Sequence, residues 1–179
     1  MKKLLLYIVI TIQFEKAQQP RIYYIDYTKT INSVSLSGND DKVILTSFDS
    51  PTRISFYNDK LYVSDDNLVN RNYRFNPDGT AGEIIHDETQ GAIKPTSVFG
   101  YNNELYFIDN NFIRKSDING NNVVDILALT STPISGKIIV SNDKIYWNAG
   151  SALRVVNIDG TNESIVTDNG NTFYGFSII

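Results

Sequence analysis

One phrase returns four times along this chain of 179 residues. It reads Ile22-Tyr23-Tyr24-Ile25-Asp26, then Leu61-Tyr62-Val63-Ser64-Asp65, then Leu105-Tyr106-Phe107-Ile108-Asp109, then Ile145-Tyr146-Trp147-Asn148-Ala149. The anchoring tyrosines Tyr23, Tyr62, Tyr106 and Tyr146 are 39, 44 and 40 residues apart. A unit of about forty residues cannot bury its apolar face alone, so neighbouring units must stack. Each copy is rich in aromatic and β-branched residues, which suit a pleated, half-buried strand. A strand-built repeat of this length describes four-stranded blades set around an axis, an all-β propeller.

Three further landmarks run in phase with the tyrosines. Glycines 38, 79, 120 and 160 fall 41, 41 and 40 residues apart, in Ser37-Gly38-Asn39, Asp78-Gly79-Thr80, Asn119-Gly120-Asn121 and Asp159-Gly160-Thr161. Asn-Gly and Asp-Gly supply the positive φ angles that tight hairpins require. Alternating apolar residues lead into each turn, and Ile44, Ile85, Ile126 and Val166 each lie six residues beyond the glycine. Pro51, Pro95 and Pro133, with Thr172 in the fourth place, mark the entry of another strand, where proline removes no ladder donor. Asn58-Asp59, Asn102-Asn103 and Asn142-Asp143 stand at hairpin corners just before a tyrosine phrase.

Each unit therefore reads as four antiparallel strands: A after the proline, B the tyrosine phrase, C before the glycine and D after it. The repeats start near residues 21, 60, 104 and 144, and no segment shows helical periodicity. The first copy opens on strand B, and the chain stops after one more A-type segment, 173–179. Four four-stranded blades are thus complete if that segment pairs beside strand B of the first copy. Such closure, which hides two sheet edges, is the favoured expectation. The other reading is an open four-blade arc, as of a truncated six-bladed ring.

The amino terminus carries a different pattern. Lys2-Lys3 precedes Leu4 to Ile12, an apolar run too short to span a bilayer, and Ala17 is a plausible cleavage point. Residues 1–17 read as a signal peptide and 18–179 as one propeller domain, secreted or periplasmic, without membrane insertion of the mature chain. Cysteine is absent, so a secreted fold of this sequence rests on burial and strand pairing. With eleven Tyr and nine Phe there is ample material for that core. The net charge of −4 and the lack of a basic stripe disfavour nucleic acid as a partner.

Ile145-Tyr146-Trp147 and Leu105-Tyr106-Phe107-Ile108-Asp109, followed by Asn-Gly or Asp-Gly turns, resemble the YWTD propeller repeats of the low-density-lipoprotein-receptor class. The Ile-Tyr-Tyr phrase is nearer still to bacterial secreted propeller domains of unknown function. The resemblance covers residues 21–179 and implies a protein-binding or structural platform. It also implies an aspartate that ties neighbouring blades, matched by Asp26, Asp65 and Asp109. Ala149 stands in that place in the fourth copy, so one tie is missing or Asn148 substitutes for it. The receptor propellers have six blades and cysteine-rich flanks, neither of which this chain supplies.

Sites of chemistry are scarce. His86 has Asp87 and Glu88 beside it, but neighbours on a strand point to opposite faces, so it reads as a surface histidine at a strand end. One histidine excludes a multi-histidine metal site within the chain. Asp117 to Asn121 has its glycine fourth and Ala128 twelfth, which misses the calcium-binding loop pattern and fits a β-turn. Asp40-Asp41 and Asp65-Asp66 read as solvated corners, with a weak calcium contact the alternative. Arg21, Arg53, Arg71, Arg74, Arg114 and Arg154 would have to converge for a sialidase-like site; Arg114 and Arg154 instead repeat by blade. The paired aromatics read as packing between blades.

No catalytic, metal or cofactor residue is assigned. The expected function is a secreted, non-catalytic scaffold binding a protein, peptide or glycan. The alternatives are a hydrolase or lyase working in the central channel, and a truncated remnant without autonomous function.

Overall fold

The computed structural model describes residues 20–66, 70–92, 94–130, 137–168, 170 and 176–178. These residues fold into four antiparallel sheets, in chain order. The first holds β1 (Arg21–Ile25), β2 (Ile31–Ser35) and β3 (Lys42–Leu45). The second runs β4 (Pro51–Tyr57), β5 (Lys60–Asp65), β6 (Arg71–Phe75), β7 (Glu83–His86). The third runs β8 (Pro95–Tyr101), β9 (Glu104–Asp109), β10 (Phe112–Asp117), β11 (Val124–Ala128). The fourth runs β12 (Ile138–Ser141), β13 (Lys144–Ala149), β14 (Ala152–Asn157), β15 (Ser164–Asp168). The sole helical element among the described residues is a 3-10 turn, Glu88–Gln90, and no helix there is long and apolar enough to cross a membrane.

The strands follow the turn chemistry. Pro51 and Pro95 open β4 and β8 at the sheet edge, where a missing N–H costs no ladder bond. Both corner residues of the A-to-B hairpins have positive φ: 47° and 54° at Asn58 and Asp59, 47° and 63° at Asn102 and Asn103, 50° and 56° at Asn142 and Asp143. That is the primed turn whose twist matches paired strands. The segments at Pro133 and Thr172 lie outside the described residues, as does the signal-peptide segment 1–17.

Side chains of the tyrosine phrases alternate between two interfaces, because neighbouring strand residues face opposite ways. Leu61 and Val63 pack back onto Tyr23 and Ile25 of the first blade. Tyr62 packs forward with Val98, Leu105 and Phe107. Tyr106 and Ile108 pack forward with Ile138, Ile145 and Trp147. Tyr62, Tyr106 and Phe107 are fully buried and Trp147 nearly so, as packing between blades requires, whereas Tyr23, Tyr24 and Tyr146 are half-buried.

The blades form an open arc. Inner strands β4, β8 and β12 pack in series, and among the described residues no strand of the first blade pairs with one of the fourth. The favoured closure is thereby corrected. Residues 173–175 and 179 of the expected closing strand lie outside the described residues, and 176–178 form no ladder. Phe176 instead lies beside the fourth blade, its carbonyl accepting from Lys137 Nζ and its ring 5.2 Å from that nitrogen. A complete set of strands does not fix the angle between blades; that angle is set by how side chains of facing sheets interlock.

Candidate functional site

His86 is the first correction among the site candidates. It is 0% exposed, not on the surface, because β7 turns its end inward against the third blade. Its ring stacks on Phe107 with centroids 3.9 Å apart. Nδ1 lies 3.2 Å from Asn72 Nδ2 and Nε2 lies 2.9 Å from Ser116 Oγ. With the Asn72 amide assigned so that its nitrogen faces the ring, Nδ1 accepts and Nε2 carries the proton. Ser116 Oγ accepts that proton and donates its own to the Asp117 carbonyl, 2.9 Å away. The hydroxyl proton therefore points away from the imidazole, the reverse of what a nucleophile and its base require. Burial drives the His86 pKa down to about 3. Asp87 does not orient the ring; its carboxylate accepts from the backbone and hydroxyl of Thr89.

The carboxylates are structural as well. Asp65 is 6% exposed, not a solvated corner. It accepts from the backbone N–H of Ser50 at 2.6 Å and of Asp49 at 3.2 Å, which pins the crossover from the first blade into the second. Asp109, 1% exposed, receives Lys94 N at the next crossover and Arg114 Nη1. In the fourth blade Asn148 Oδ1 accepts from Lys137 N at 3.0 Å. Asn148 thus holds the entry of β12 three residues further along than Asp65 and Asp109 hold theirs; the place equivalent to Ser50 and Lys94, residue 134, lies outside the described residues. Asp26 serves its own turn instead, accepting from Thr28 and Thr30, and these hydrogen bonds draw its pKa down to about 2.

Asp40 is held by Arg21 at 2.6 Å; hydrogen bonds from Ser35 and then Arg21 keep its carboxyl well below the usual range. Asp117 accepts from the backbone of Asn119 and Asn121, each at 2.9 Å, and from the Asn122 amide. That is a β-turn cap, as expected of the run. Among the described residues no group of three His, Cys, Asp or Glu side chains is arranged to hold a metal.

The arginines do not converge. Arg74 pairs with Glu83 and reaches the Ile118 carbonyl of the next blade. Arg114 bridges Asp109 and Asp125. Arg154 pairs with Glu163 at 2.5 Å, and Arg71 stands 3.9 Å from Asp87.

Arg53 differs, because it lies on inner strand β4. Its repeat equivalents sit nine residues before Tyr106 and Tyr146, as Arg53 does before Tyr62: they are Ser97 and Lys137. The register agrees, since Ile54 and Ile138, the following residues, oppose Val63 and Trp147 of their tyrosine phrases. Burial first, then the charge of Arg53, lowers the Lys137 pKa; burial lowers that of Arg53. Arg53 Nη1 donates to the Thr52 carbonyl at 2.7 Å. Between the cations Ser97 accepts from Ile138 N at 2.9 Å. Two cations thus share one end of the inner strands, the part of a propeller that lines its central opening. Lys137 escaped the sequence reading, although its nine-residue offset from Tyr146 was visible there.

No family model matches the chain, and no curated protein does. Solved structures do. A chain of the nidogen/laminin complex superposes with a TM-score of 0.74 at 17% identity, over 87% of this chain and 63% of that one. A gluconolactonase from Xanthomonas campestris gives 0.67 at 12%, over 85% and 60%. An auxiliary nutrient binding protein from Bacteroides ovatus gives 0.66 at 14%, over 83% and 39%. This chain therefore spans less than two thirds of each of these structures. At such identities the likeness establishes the fold, that of a β-propeller.

Proposed function

We propose that this chain is a non-catalytic binding scaffold that receives a protein, peptide or glycan at the inner ends of its blades, with an anionic group of the ligand placed at Arg53 and Lys137. The observation that carries this reading is the placement of those two cations. They occupy the same repeat position, Arg53 on β4 and Lys137 immediately before β12, the charge of Arg53 helps lower the Lys137 pKa, and the chain as a whole is acidic. Like charges held together in a partly desolvated place are relieved by an anion. Exposed loops on a rigid scaffold are where recognition of larger partners resides.

Two of the neighbouring structures carry names that speak of binding, a laminin complex and a nutrient binding protein. A secreted or periplasmic location accords with this use and with the leader-like segment 1–17. Binding needs no cofactor. The named gluconolactonase keeps a hydrolase or lyase as the second reading; the inward seal and reversed proton order at His86 favour binding.

Calorimetric titration with two acidic probes, an oligogalacturonate and a polyglutamate peptide, tests the proposal against their neutral counterparts. The expected result is that one acidic probe binds, and that Arg53→Ala and Lys137→Gln each weaken it about tenfold, the scale of one charge-assisted hydrogen bond. Failure of both acidic probes, or unchanged affinity in both variants, contradicts the proposal. Hydrolysis of an aldonolactone that disappears in Lys137→Gln would move the second reading ahead.

A further inference from the structure

The two ends of the arc are the two halves of an interface that the chain already makes three times. Leu61, Leu105 and Ile145 open the later copies of the tyrosine phrase, and each is 0% exposed against the blade before it. Ile22 holds that position in the first blade and is 51% exposed.

The turn glycines tell the same story from the backbone. A Cβ on Gly79, Gly120 or Gly160 would meet the carbonyl oxygen of Ile44, Ile85 or Ile126 of the preceding blade at 2.5, 2.0 and 2.4 Å. Around Gly38 nothing lies within 4 Å. At the other end Val166, which follows Gly160 by six residues as Ile44, Ile85 and Ile126 follow their glycines, is 50% exposed. One end thus offers a glycine turn with no strand beneath it, and the other offers the D strand such a turn rests on.

We propose that a second copy of this chain docks head to tail, the leading face of its first blade (Ile22, Gly38) seated on the trailing strand β15 (Val166) of the first copy. The occupant follows from continuity: the face is built to the pattern of three interfaces whose other half this same chain carries, and the two halves lie on opposite ends of one molecule. Such a contact is heterologous, so it propagates until the ends meet. Desolvation of the apolar side chains left bare at both ends supplies the driving force.

Sedimentation equilibrium of the full chain over a wide concentration range tests this, using wild type, Ile22→Glu, Val166→Lys and an equimolar mixture of the two variants. Both substituted positions are exposed in one copy, so each variant should melt like wild type. The wild-type mass should rise above 20.2 kDa with concentration, whereas each variant alone should stay at 20.2 kDa. The mixture should give a one-to-one pair, because one variant keeps an intact trailing face and the other an intact leading face. Four results would overturn the proposal: a wild type monomeric throughout; Ile22 shielded from solvent labelling in that monomer by residues of its own chain; association that survives both substitutions, as through residues 1–19; or loss with Ile22→Glu alone, which would mean that the leading face meets itself.

Discussion

Gly120 of the third blade lies against the backbone carbonyl of Ile85 in the second so closely that a Cβ built on it would stand 2.0 Å from that oxygen. The chain is also left-handed there, with φ of 80°. Gly38 has nearly the same angle, 77°, with no atom nearby. The pair separates two costs. Gly38→Ala should lower stability by about 1 kcal/mol, the left-handed penalty alone. Gly120→Ala adds overpacking against a backbone that cannot move aside, for about 3 kcal/mol in total. Urea unfolding measures both; equal losses would mean that the third blade does not press on the second.

His86 makes stability depend on pH. Its folded pKa is depressed to about 3 from the ordinary 6.5, so the unfolded chain binds the proton more readily. Stability is therefore whole above 6.5 and falls as pH drops towards 3. Each pH unit in that window costs about 1.4 kcal/mol, so about 3 kcal/mol goes between pH 6.5 and 4.5. Ordinary carboxylates titrate mainly below that range. His86→Gln should be less stable at pH 7 but nearly flat from 6.5 to 4.5. A wild-type curve flat over the same interval would contradict the sealed, neutral imidazole.

The crossover ties should differ in strength by blade. Asp109 is buried and receives both Arg114 and the Lys94 amide. Asp109→Ala leaves that guanidinium without this carboxylate and should cost about 3–4 kcal/mol. Asn148 makes a neutral bond to Lys137 N, and Asn148→Ala should cost about 1–2 kcal/mol. Chemical denaturation of the two variants should preserve this order; the reverse order would contradict the reading of Asn148 as the weaker tie.

A second kind of tie runs along the opposite end of the blades. Tyr57 OH accepts from Asn103 N at 2.8 Å, and Tyr101 OH bonds the backbone and side chain of Asp143. Ser141 closes β12, as Tyr57 and Tyr101 close β4 and β8, and lacks the reach. Tyr57→Phe keeps the ring that packs over Gly100 and loses one hydrogen bond, so it should cost about 1 kcal/mol. Tyr57→Ala should cost several times more through the void it opens. A Tyr57→Phe loss as large as that of Tyr57→Ala would show that the hydroxyl, rather than the ring, holds the blades.

Local features were legible in the sequence because local chemistry decides them. The Asn-Asp corners, the Gly turns and the proline-led strands each follow from the backbone angles those residues favour, and all lie where the pattern put them among the described residues. Burial that depends on another blade was not legible. His86 is sealed by Ser116, thirty positions away in sequence, and Asp65 is buried by the crossover it holds. The choice of arc over ring was illegible for a related reason: it depends on the angle at which whole sheets interlock. Lys137 carries no local signal of its own; only the nine-residue offset from Tyr146 aligns it with Arg53.

Spin-label distances along the arc test its openness most directly. The chain has no cysteine of its own, so labels can be placed at Val43, Ile84 and Ile165, one residue before Ile44, Ile85 and Val166 on the D strands and all exposed. Labelled molecules diluted in unlabelled ones report distances within one copy. An open arc predicts a 43–165 distance clearly longer than the 43–84 distance between adjacent blades. A 43–165 distance equal to the 43–84 distance would mean that the fourth blade stands next to the first, and that the four blades form a closed ring.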